Sequence, residues 1–125
     1  TPIDPAKVQR VVLCSGKVFY DLEASRLARG LTNVALVRVE QLYPLSKADL
    51  AKALAPYSAN TPVVWVQEEP WNMGAWYYMS ARLPALLGGR AVSCIAREES
   101  ASPATGSPAA HKIEHAMLLD AAFTL

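Results

Sequence analysis

Val11-Val12-Leu13-Cys14-Ser15-Gly16-Lys17 decides the fold class of this chain. Its first four residues form an apolar, largely β-branched run, the composition of a buried strand. Ser15-Gly16-Lys17 then makes a small polar turn, and Val18-Phe19-Tyr20-Asp21-Leu22 opens a helix. A strand leading through such a turn into a helix gathers free backbone N–H groups and a cation at one point. That combination suits an anion.

Working outward, the same alternation repeats. The helix is expected over about Lys17 to Arg29, with Val18, Phe19, Leu22 and Leu27 inward and Gly30 as its stop. Asn33 to Val39 reads as a second strand, and Gln41-Leu42-Tyr43-Pro44 as a turn. Ser46 is placed as the N-cap of a short helix ended by Pro56, with Leu45 and Leu50 as its hydrophobic staple. Val63-Val64-Trp65-Val66 is apolar throughout and reads as a central strand. Asn72 is expected to cap the next helix, stapled by Trp71 and Trp76, with Trp76, Met79, Leu83 and Leu86 inward. Pro84 kinks or ends it, and Gly88-Gly89 closes it. Ala91 to Ala96 is a fourth strand; Ser107 and Pro108 start a last helix with Ile113, Met117 and Ala121 on its inner stripe.

The order β-α-β-α-β-α-β-α implies an α/β fold: a mostly parallel open sheet with helices on both faces. Ligands of such sheets sit beyond the carboxyl ends of the strands, where the winding reverses. A strand order of 2-1-3-4 is expected, which would bring Ser15, Lys17 and Gln67 into one crevice with Arg97 nearby.

Length and composition narrow the classes. The 125 residues suffice for one domain, and 52% hydrophobic with 18% charged residues is a globular balance. A net charge of +1 and a pI near 7.7 argue against a nucleic-acid or membrane-surface binder. Thr1-Pro2-Ile3-Asp4-Pro5 lacks an initiator Met and the pattern of a signal peptide. Residues 1–9 are therefore read as a linker from upstream domains and residues 10–125 as the domain. Cys14 and Cys94 are read as buried and reduced.

The remaining motifs divide between chemistry and scaffold. Ser15-Gly16-Lys17 is not a P-loop, since the glycine-rich run and the Ser or Thr after the lysine are missing. Glu68 and Glu69 are adjacent in an extended segment, point opposite ways and cannot face each other as an acid/base pair. His111-Lys112-Ile113-Glu114-His115 matches the H-x-x-E-H zinc pattern. Only Asp120 follows as a downstream carboxylate, so these are read as two solvated helix histidines and no metal site is expected. Trp65, Trp71, Trp76, Tyr77 and Tyr78 lack the basic surround of a base-stacking surface and are read as core or subunit interface.

Four blocks together carry a resemblance. They are Val11 to Leu22, Val37-Arg38-Val39-Glu40-Gln41-Leu42-Tyr43-Pro44, Gln67-Glu68-Glu69-Pro70 with Asn72-Met73-Gly74-Ala75-Trp76, and Ser100-Ala101-Ser102-Pro103-Ala104-Thr105-Gly106. In this order the chain resembles the C-terminal, transketolase-like domain of the E1 components of 2-oxoglutarate dehydrogenase complexes. The resemblance implies a thiamine-diphosphate- and Mg²⁺-dependent enzyme that decarboxylates 2-oxoglutarate and passes the succinyl group to the lipoyl arm of an E2 partner. It further implies that the cofactor lies in preceding domains at a homodimer interface, so this piece has no catalytic residues and is inactive alone. Its implied role is structural and regulatory, with an effector site for acetyl-CoA or AMP. Ser15, Lys17 and Gln67 are carried onto that site from the motifs, and Arg97 is added on its position. No nucleic acid and no membrane is expected as partner, and bacterial cytoplasm and mitochondrial matrix both fit. The alternatives are a self-contained nucleotide- or anion-binding module and, third, a small metallohydrolase on His111 and His115.

Overall fold

A computed structural model describes residues 3–40, 46–97 and 108–124, the side chains of 108–111 excepted. After a short 3-10 turn at Pro5–Lys7, the elements run β1 (Arg10–Cys14), α1 (Val18–Arg29), β2 (Val34–Arg38), α2 (Lys47–Leu54), β3 (Val63–Pro70), α3 (Trp76–Leu86), β4 (Val92–Arg97) and α4 (Pro108–Phe123). The four strands form one sheet in the order β2-β1-β3-β4. Every pairing is parallel, with Leu13 facing Val37 on one side and Trp65 on the other. Fold class and strand order are those the sequence predicts.

Side-chain alternation along the two central strands builds a core on each face. Val11, Leu13, Val63 and Trp65 pack against Leu50 and Leu54 of α2 and Met79 and Leu83 of α3. Val12, Cys14, Val64 and Val66 pack against Val18 and Leu22 of α1 and Leu118, Ala122 and Phe123 of α4. Ahead of β1, Val8 is buried in the first of these cores and Ile3 packs against it.

Local signals act where chemistry makes them strong. Ser46 Oγ accepts from the Asp49 N–H at 3.1 Å, a true N-cap, and Leu50 is buried beneath it. Gly30 ends α1 at φ +65° and donates to the carbonyls of Arg26 and Leu27. Pro84 is accommodated in the last turn of α3, where Gly89 N–H bonds back to its carbonyl at 2.7 Å. The turn at 41–44, Leu45 of the staple, Glu98-Glu99, the 100–106 block and Ser107 lie outside the described residues.

Three expectations are corrected. Leu27 is 54% exposed rather than inward, because nine residues at 3.6 per turn place it about 180° from Val18. On α4 the stripe of Ile113 and Met117 faces solvent, at 61% and 66% exposure, and Ala121 is exposed as well. Leu118, Ala122 and Phe123 are buried instead. This rotation seats Phe123 beneath the Arg29 guanidinium, 5.5 Å from the ring centre, and lets Arg29 pair with Asp120 at 3.0 Å. The third concerns α3. Its N-terminus is Trp76, not Asn72, because Gly74 sits at φ +67° and interrupts any helical path from Asn72. Trp71 is half exposed and staples nothing to the core.

Both cysteines are free thiols, Cys14 fully buried and Cys94 half-buried. Burial pushes the Cys14 thiol up from 9.0 to about 12, against the opposing pull of the Arg38 cation; burial pushes Cys94 to about 11. A thiol that resists ionisation only when folded stabilises the fold fully below pH 9 and loses that contribution as pH rises toward 12. Alkaline unfolding of Cys14→Ala should therefore be less steep with pH than that of the parent, followed by circular dichroism. Equal slopes in the two proteins would refute this.

Candidate functional site

The carboxyl ends of β1, β3 and β4 open under the first turn of α1 and one side of α4. Gly16, at φ +73°, lets the chain turn sharply out of β1, so that Phe19 N–H reaches the Gly16 carbonyl at 3.3 Å and α1 starts at once. Ser15 is half-buried in this turn. Lys17 occupies the N-cap position without a capping side-chain bond, and its side chain is 84% exposed.

β3 runs four residues beyond Val66, the end the sequence suggests, with an irregular register to β4 between Val66 and Pro70. Gln67 and Glu68 consequently fall on opposite faces of the sheet. Glu68 turns toward α1 and α4, where its Oε2 lies 3.8 Å from Lys17 Nζ. Arg97, the last residue of β4, donates from Nε to the Glu68 carbonyl at 2.8 Å and pairs through Nη1 with Glu114 of α4 at 3.1 Å. His115 completes the group. Its Nε2 is 3.3 Å from Asp21 Oδ2 on α1, and its Nδ1 is 3.7 Å from Glu68 Oε1.

Gln67 goes the other way, into the α3 side, and is 4% exposed. Its Oε1 accepts from Trp65 Nε1 at 2.9 Å and from the Trp76 backbone N–H at 2.8 Å. Its Nε2 donates to the carbonyls of Pro70 at 2.8 Å, Met73 at 2.7 Å and Glu69 at 3.2 Å. The amide thus closes the 68–76 loop and caps α3, replacing the local Asn72 cap by a side chain nine residues away. Of the four residues singled out from sequence, the structure brings Lys17 and Arg97 to Glu68, leaves Ser15 at the base of their turn, and places Gln67 behind the sheet.

Asp21, Glu114 and His115 are additions that the sequence analysis does not group with these. Asp21 is four residues after Lys17, hence on the same side of α1, and Glu114-His115 belongs to the H-x-x-E-H run. The downstream carboxylate of that run, Asp120, is committed to Arg29, and the His111 side chain lies outside the described residues. Chemically the crevice is a mosaic: Lys17 and Arg97 each meet a carboxylate, so an entering anion must compete with Glu68 and Glu114 for them. Among the described residues of this arrangement, none is a nucleophile hydrogen-bonded to a base. Among the described residues no helix is long and apolar enough to cross a membrane.

Comparison with known proteins agrees with this architecture. The family model described as 2-oxoglutarate dehydrogenase C-terminal matches residues 1–123. The 2-oxoglutarate dehydrogenase E1 component of Azotobacter vinelandii is 44% identical over 127 residues, covering 98% of this chain and 14% of that protein. The E1 component of Haemophilus influenzae is 42% identical over 123 residues, covering 98% and 13%, and that of Rickettsia prowazekii is 43% identical, covering 95% and 13%. The chain therefore spans about one-seventh of the length of the curated relatives it matches. A match that runs from the first residue through the end of α4, on a sheet of the expected order, shows that the chain belongs to the 2-oxoglutarate dehydrogenase C-terminal family.

Proposed function

We propose that the chain is the C-terminal structural and regulatory module of a 2-oxoglutarate dehydrogenase E1 component. The observation that carries this reading is the family-model match over residues 1–123 in a chain that spans only 13–14% of its curated relatives. In this reading the whole protein decarboxylates 2-oxoglutarate oxidatively and passes a succinyl group to the lipoyl groups of an E2 succinyltransferase. Residues 1–9 lead in from preceding domains of the same chain, and the protein works as a homodimer in the bacterial cytoplasm or a mitochondrial matrix.

Thiamine diphosphate and Mg²⁺ belong to those preceding domains. The residues here do not fit the cofactor: the β1–α1 turn offers one glycine and one lysine already facing Glu68, not a cradle for a diphosphate and its metal. No chemical step is assigned to this chain. Supplied with thiamine diphosphate, Mg²⁺ and 2-oxoglutarate, the isolated chain is expected to release no carbon dioxide. Turnover would overturn the reading.

The regulatory half rests on Lys17 and Arg97 at neighbouring strand ends beside the start of α1. They would receive the phosphates of acetyl-CoA or AMP, with the Ser15 hydroxyl beneath and Gln67 acting from behind by holding the 68–76 loop. Lys17→Ala and Arg97→Ala should each weaken AMP or acetyl-CoA binding about tenfold or more in calorimetric titration. Unchanged affinity in both variants would remove the effector role while leaving the family reading intact.

A further inference from the structure

His115 stands between two carboxylates that come from different elements, and both of its ring nitrogens face one: Nε2 toward Asp21 at 3.3 Å, Nδ1 toward Glu68 at 3.7 Å. One imidazole with a carboxylate on either side gathers nitrogen and oxygen donors from three elements, a set that attracts a cation. Lys17 does not fill that place: its ammonium reaches Glu68 at 3.8 Å from a side chain that is 84% exposed. Arg97 is turned to Glu114 and to the Glu68 carbonyl.

We propose that Asp21, Glu68 and His115 bind a divalent first-row transition ion, with Zn²⁺ as the preferred occupant. One ligand atom from each residue already lies within 4.8 Å of the others. Zinc holds nitrogen and oxygen ligands at about 2.0–2.2 Å, so its ligand atoms sit roughly 3.4 Å apart in a tetrahedron. Closing the difference, and bringing both carboxylates to one ring nitrogen, falls to side chains that are 28% (Glu68, His115) and 47% (Asp21) exposed and so have room to change rotamer. One imidazole and two carboxylates suit a borderline ion better than Mg²⁺, which prefers oxygen ligands and retains its waters. The fourth position is left to water, at the open end of the strands. Because the three ligands belong to α1, β3 and α4, the ion would pin both helices to the end of the central strand. The site differs from the one the H-x-x-E-H pattern suggests: it keeps His115 but takes its carboxylates from upstream.

Zinc and cobalt titrations of the 125-residue chain, with the fold of each variant checked by circular dichroism, test this at about pH 8, where ordinary imidazoles are neutral. One equivalent of zinc is expected to bind saturably, with affinity falling tenfold or more in both His115→Ala and Glu68→Gln. The cobalt form should lack thiolate charge-transfer absorption, which separates this site from Cys14 and Cys94. Lys17→Ala should bind zinc more tightly, by removing a competing cation, whereas the same change weakens any phosphate ligand; the two readings of the crevice thus fail independently. Absence of saturable binding, binding retained in both ligand variants, or a cobalt–thiolate band would each overturn the proposal.

Discussion

Gln67→Leu is expected to destabilise the protein by about 3–5 kcal/mol, a large share of a domain's total. Leucine nearly preserves the volume, so the loss is one of hydrogen bonding. It strands the Trp65 indole N–H, the Trp76 backbone N–H, and the carbonyls of Pro70 and Met73, around a site only 4% exposed. Each buried group left without its partner costs about 1–3 kcal/mol, partly recovered if water enters. The 68–76 loop would also lose its clasp, so the urea midpoint should fall and the loop should become the first point of proteolytic cleavage. A loss below about 1 kcal/mol would show that the amide is dispensable.

Trp65→Ala is the second large effect, about 3–5 kcal/mol. The indole is 1% exposed in the core shared by β1, α2 and α3, and it is the largest fully buried side chain among the described residues. Its removal also deprives Gln67 Oε1 of one of its two donors. The two substitutions share a hydrogen bond, so the double variant should lose less than the sum of the singles, by about 0.5–3 kcal/mol. Strict additivity in denaturant titrations would mean that Trp65 and Gln67 act separately, contrary to the 2.9 Å contact between them.

The sheet was legible in the sequence because its signals are local and unambiguous. Val11-Val12-Leu13-Cys14 and Val63-Val64-Trp65-Val66 are too apolar for a surface strand, and the alternation with helices leaves few topologies. Ser46 could be read as a cap because its partner, Asp49, is three residues away. The cap of α3 could not. Asn72 has the right chemistry in the right place, yet a glutamine on the preceding strand supplies the acceptor, and only the packed loop brings the two together.

Helix rotation explains the other misses. α4 carries Ile113, Met117, Leu118, Leu119 and Phe123, which is apolar around more than one side, so periodicity alone does not choose a face. Choosing Leu118 and Phe123 as the buried pair also determines that Glu114 and His115 turn toward Arg97 and Glu68. The error in the buried stripe and the omission of His115 from the site have one cause. Lys17 and Arg97 can be placed at one rim from sequence because strand ends have a fixed geometry; Asp21, Glu114 and His115 cannot, because they hang from helices whose azimuth is set by packing.

The opposite facing of Gln67 and Glu68 has a consequence for how this region can change over generations. One residue carries the internal clasp, and the next one along the chain carries the contacts to Lys17 and His115. Mutation at the second is insulated from the first by the thickness of the sheet itself. If the rim takes up the ligands proposed for it, its preference can drift, be lost or be rebuilt without passing through an unfolded ancestor, because the clasp and the rim contacts occupy consecutive positions on opposite faces.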